Sequence, residues 1–328
     1  MRRVPVLVVM IILAGCLASC ASGGLPPFKR LENYPFDPSK TLPERVTEVP
    51  PLLLEALKRS DNRPDYRAYR PTPGELRQLA AALGELPDIQ RQALHGRLVG
   101  IYFVQNLSSG GYSDYLLDRR GVLHTVLVLN PAILHTGMSR WITDKELSAF
   151  TTDRSDIGLS VECSDGGRSA LLYILLHEAA HQLDYLAGCT PYVERALAAA
   201  GKPLAAVPFA AAAWRDYDHP LPEFDAPLRG RLRFYGSGAT ARLPAGEMPA
   251  LYRYLATTPF TTLYASQNWA EDFAETAAFA ALARRDGIVC TLRVRGPGTE
   301  QFLMPLLDRP PVAARLPLLS PSCAAAVP

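Results

Sequence analysis

Residues 170–181 read Ala-Leu-Leu-Tyr-Ile-Leu-Leu-His-Glu-Ala-Ala-His, an apolar run that ends in two histidines and a glutamate. The pattern from Arg168 to Ala187 is helical, and Gly188 stops it with Thr190-Pro191 just beyond. The turns before His177 are apolar on every side, so the helix is expected to be buried. His177 and His181 are four apart and share a face, with Glu178 beside them, in an H-E-x-x-H pattern. Two imidazoles and a carboxyl at the end of a buried helix need a partner, and one metal ion supplies it. A catalytic zinc takes three protein ligands and leaves a fourth position open.

The third ligand lies elsewhere in the chain. A metzincin would carry Gly and His three and six residues after the second His, where this chain has Asp184 and Ala187. The best donor is the helix predicted from Gln267 to Arg285. At about 100° per residue, Glu271, Ala274, Glu275 and Ala278 form one stripe, and Trp269, Phe273 and Ala280 form the opposite, core-facing one. The first stripe is small except for two carboxylates, so it can press against another helix while directing both charges inward. Asp272 points away and reads as a solvated or capping acid. Asp184 shares the His177/His181 face; it fits a partner that holds a ligand histidine, a surface acid, or the third ligand itself. His95, His124, His135 and His219 show no ligand spacing.

Tyr264, Asn268, Glu271 and Glu275 repeat a spacing found in the catalytic domain of anthrax lethal factor and the related Pro-Pro endopeptidases, which are gluzincin-type zinc peptidases. HEAAHQLDY together with YASQNWAEDFA is also similar to the Mlc titration factor family of bacterial zinc peptidases, which lacks the equivalent of Glu275. The resemblance covers about 30 residues in two patches. It implies one zinc per chain on His177, His181 and Glu271, with Glu178 as general base. Glu275 would hold a ligand histidine, and Tyr264 would donate to the oxyanion unless it is simply a core tyrosine. The 90 residues separating His181 from Glu271 exceed the spacer of either family, so an inserted segment is expected.

Outward from the motif, Leu98–Val104 and Leu123–Leu129 read as strands, with Gly110-Gly111 and Asp118–Gly121 as turns between them. Thr72-Pro73-Gly74-Glu75 signals a helix start, with helix to about Leu83 and again from Pro87 to His95. Met248–Thr257 reads as helix and Ile288–Val294 as strand. The expected class is α+β, helix-rich, a zincin-like domain over 73–328 with a small antiparallel or mixed sheet. Leu123–Leu129 is expected to offer an edge to an added peptide strand.

Residues 20–72 are rich in Pro and polar residues and read as a tether, apart from a short amphipathic helix at Leu52–Leu57. Residues 1–19 resemble a lipoprotein signal: Arg2-Arg3, an apolar run, then Leu17-Ala18-Ser19-Cys20, with Leu13-Ala14-Gly15-Cys16 as a second site. Lipidation at Cys20 leaves Cys163, Cys189, Cys290 and Cys323, an even set in an oxidising space. Cys163 and Cys189 flank a helix of roughly 27 Å, so each is expected to pair with Cys290 or Cys323 instead.

Across 328 residues the net charge is +2, and it vanishes once Arg2 and Arg3 are removed. That balance excludes general nucleic-acid binding. The expectation is a zinc endopeptidase of the bacterial envelope, lipid-anchored and more suited to the outer than the inner membrane, acting on peptide or protein. A non-catalytic zinc-binding lipoprotein and a cell-wall amide hydrolase are the alternatives.

Overall fold

A computed structural model describes residues 24–151, 154–235, 242–297 and 301–319. The lipidation candidates Cys16 and Cys20, and Cys323, lie outside them. The helices are α1 (Pro51–Asp61), α2 (Pro73–Glu85), α3 (Asp88–Arg97), α4 (Met138–Leu147), α5 (Leu171–Ala187), α6 (Pro208–Ala211), α7 (Met248–Leu255), α8 (Trp269–Asp286) and α9 (Pro310–Ala313). The strands are β1 (Arg67–Tyr69), β2 (Leu98–Gln105), β3 (Gly111–Leu117), β4 (Leu123–Leu129), β5 (Gly158–Cys163), β6 (Cys290–Arg295) and β7 (Gln301–Pro305). The chain is thus a mixed α/β protein with two small sheets.

The first sheet has the order β1-β2-β4-β3. β2 and β4 run parallel, while β1 and β3 pair antiparallel on either side. Side chains alternate between two buried faces, which is why β2 and β4 read as nearly continuous apolar runs. Ile101, Phe103, Leu127 and Leu129 enter the main core with α2 and α5. Val99, Tyr102, Val104, Val126 and Val128 face a second layer made by the N-terminal segment.

That second layer corrects the tether expected over residues 20–72. Within its described part, Tyr34, Val49, Leu53, Leu57 and Tyr66 are buried against the sheet. Thr47 donates to the Ile101 carbonyl at 3.2 Å, and the Arg45 guanidinium donates to the Leu98 carbonyl at 2.6 Å. Prolines set the bends between short turns here, and the apolar residues among them cover a face that would otherwise lie bare.

Local signals place the helices well. Thr72 and Glu75 complete the capping box of α2, and Gly188 ends α5 at φ 63°. Every residue from Leu171 to Asp184 is buried, so α5 is the central helix. In the second sheet, β5-β6-β7, Cys163 and Cys290 stand directly opposite and form a disulfide. Cys189 is buried and also disulfide-bonded.

Leu53 tests the second layer. Replacing it with Ala should lower stability by about 2–5 kcal/mol in urea unfolding, the cost of emptying a packed core position. A tether residue would leave the midpoint where it was.

Candidate metal centre

α5 presents His177, Glu178 and His181, and α8 crosses it closely enough to bring Glu271 and Glu275 to the same place. The approach depends on Ala274 and Ala278, both fully buried on the contact face. Asn268 caps α8, accepting from the amides of Ala270 and Glu271 at 3.0 Å, and so fixes the first turn that carries Glu271. The segment between the two helices braces this turn. Trp269 donates to the Tyr192 carbonyl at 2.7 Å, and Tyr192 stacks on Tyr217 beside it.

His177 Nε2, His181 Nε2 and Glu271 Oε2 form a nearly equilateral triangle with edges of 3.2, 3.3 and 3.3 Å. Ligands at the zinc–nitrogen and zinc–oxygen lengths of about 2.0–2.1 Å, at tetrahedral angles, stand roughly 3.3 Å apart. The three atoms could therefore hold one zinc ion without adjustment, and two His with one carboxylate is a ligand set that zinc accepts.

The surrounding charge agrees with that fit. The carboxyls of Glu146, Glu178, Glu271 and Glu275 surround the site, and Lys145 is the ammonium among them. Burial pulls the His177 imidazole down, but the Glu271 and Glu275 carboxylates outweigh it and lift it to about 10. Burial would raise Glu271, yet His181 and His177 hold it far below the usual carboxylate range. The pocket calls for added positive charge.

Glu178 is 5% exposed, and burial pushes its carboxyl up. Its Oε2 has no hydrogen-bond partner among the described residues. Room for it comes from Gly111 at the start of β3, where an added Cβ would sit 2.6 Å from Glu178 Cγ. Ser113 donates to the Glu178 carbonyl at 3.2 Å, tying the strand to the helix. β3 is thus the sheet edge beside the site. β4, expected to be that edge, is an interior strand with β2 and β3 on its two sides. From its middle onward β3 is already covered: Lys29 pairs with Asp114, and Arg30 bridges Leu117.

Glu275 Oε1 lies 3.1 Å from His177 Nδ1, within ion-pair reach though not aligned as a hydrogen bond. Tyr264 lines the same cavity as His177, Glu178 and Glu275, with its ring centre 6.0 Å from that of His177. Burial pushes its phenol well above the ordinary value.

Two acids depart from expectation. Asp184 accepts from the Thr190 amide and hydroxyl, each at 2.6 Å, and so braces the turn after α5 rather than holding a ligand or serving as one. Asp272 is neither solvated nor a cap: it is fully buried, accepting from Trp214 at 2.8 Å and from Arg315 at 2.6 Å.

Sequence reasoning missed Lys145, Tyr173, Tyr235 and Gly111, all of which line the cavity. Lys145-Glu146 reads locally as a solvated pair, Tyr173 as core, Gly111 as a turn, and Tyr235 falls in the least regular stretch. No signal within their own neighbourhoods identifies them. No known family, characterised protein or solved structure matches this chain.

Purified protein should bind close to one zinc per chain, measured by elemental analysis. Glu271→Ala should lose most of it, whereas Asp184→Ala should keep it; the reverse pattern would move the third ligand to Asp184.

Proposed function

We propose that this chain is a zinc-dependent peptidase of the bacterial cell envelope, with a zincin-like catalytic domain of the gluzincin type. The observation that supports it most is the triangle of His177, His181 and Glu271 with the Glu178 carboxylate beside it, whose Oε2 has no hydrogen-bond partner among the described residues. Those three residues would hold the ion. Zinc, when bound, supplies Lewis acidity that polarises a carbonyl and acidifies water.

The chain's own residues supply the proton handling. Glu178, its pKa raised by burial, accepts a proton from water and returns it to the departing amine. Gly111 keeps that carboxylate close to β3 without a clash. Tyr264 donates to the oxygen on which charge develops. Glu275 steadies His177 through Nδ1. Attachment through a lipid at Cys20, or at Cys16, would keep the domain in the envelope, with peptide or protein as substrate.

A zinc-binding scaffold has no use for a buried carboxylate with an unbonded oxygen next to its metal, which favours hydrolysis over a purely structural site. Glu178→Gln should cut peptide turnover by about 100-fold or more while zinc stays bound. Unchanged turnover would reject the role of base. Gly111→Ala should also lower turnover with little change in zinc content, because its Cβ displaces Glu178 and none of the ligands.

A further inference from the structure

α4 places two charged side chains, Lys145 and Glu146, deep inside the protein, 2% and 0% exposed. Lys145 Nζ is 2.5 Å from Glu275 Oε2 and 2.8 Å from the Tyr173 hydroxyl. It also stands 3.8 Å from Glu146 Oε1 and over the Tyr264 ring, 4.9 Å from its centre. Glu146 is itself tied down, accepting from the Tyr252 hydroxyl at 2.8 Å and the Leu263 amide at 3.0 Å.

These contacts leave Glu275 no freedom. Its Oε2 accepts from Lys145 and from Thr262 at 2.9 Å. Its Oε1 accepts from Tyr173 and faces His177 Nδ1. Glu271 and Glu275 lie one turn apart on the same face of α8, and either carboxylate has the chemistry of a zinc ligand. Of the two, among the described residues, Glu275 alone has a fixed ammonium against it. A carboxylate already neutralised by a buried cation has little left to offer a metal, while the ion-pair partners of Glu271 among the described residues are imidazoles.

We propose that Lys145 is a positioning residue of the metal centre. Its ammonium commits Glu275 to His177 Nδ1, which sets the direction of His177 Nε2 and leaves Glu271 as the acid available to the ion. This rests on the zinc-site reading above. Lys145 touches no ligand atom directly; it acts through Glu275.

The test measures zinc affinity of the purified chain by competition with a chromophoric chelator, and the visible spectrum after cobalt substitution. In Lys145→Met, the zinc Kd should rise about 10–100-fold and the cobalt bands should shift, the size of effect expected when a partner of a ligand is lost. Lys145→Met/Glu275→Gln removes both charges of the 2.5 Å pair together, leaves Glu146 held by the Tyr252 hydroxyl and the Leu263 amide, and should fold even if the single variant does not. Its zinc Kd should also rise about tenfold or more. Wild-type affinity and wild-type cobalt bands in a folded variant, single or double, would overturn the role of Lys145. Failure of the wild-type chain to take up zinc or cobalt would instead overturn the metal centre itself.

Discussion

The structure depends on bringing like charges together in a place where water cannot screen them. Glu178, Glu271 and Glu275 converge between α5 and α8, and in a dry interior such carboxylates repel one another strongly. Helix packing holds them there. Ala274 and Ala278 let the two backbones approach, and Asn268 fixes the first turn of α8. Two imidazoles and the Lys145 ammonium then meet the acids at distances of 2.5–3.3 Å. The remaining demand for positive charge is what makes the triangle of donors chemically meaningful rather than only geometrically neat.

The rest of the fold serves as a clamp on those two helices. Cys163 precedes α5 by eight residues and Cys290 follows α8 by four, so their disulfide closes a 127-residue loop that contains both helices and the three atoms of the triangle. Asp272, one residue from Glu271, is fixed by Trp214 from the intervening segment and Arg315 from near the C-terminus. The segment joining the helices contributes Tyr192 and Tyr217 to the packing around Trp269. A carboxylate on the first turn of a helix would otherwise share in the fraying of helix ends, and these contacts suppress it.

The parts legible in the sequence were those whose signals are local. The H-E-x-x-H helix, its Gly188 stop, the Thr72 capping box and the Glu271/Glu275 stripe each lie within a few turns of helix, where period and cap residues speak directly. What escaped was decided by distant partners. The parallel pairing of β2 with β4 depends on chain routing, not on either strand's own pattern. Asp184 could turn toward the histidines or toward Thr190, and only the folded turn selects Thr190. Lys145 and Glu146 carry no mark of burial in their own helix. The Pro-rich segment before residue 72 has the composition of a linker, and its buried residues make sense only once the bare face of the sheet exists.

That packed segment changes how far the domain can stand from a bilayer. A free tether of about 50 residues would let a lipid-anchored domain roam many tens of ångströms from the surface. Here the described fold already begins at residue 24, four residues beyond Cys20. Four residues span no more than about 14 Å when extended. If Cys20 carries the lipid, the N-terminal end of the described fold is held within that reach of the headgroups. The anchor would then limit how far any part of the domain can stand from the lipid surface, a limit that a free tether would not impose.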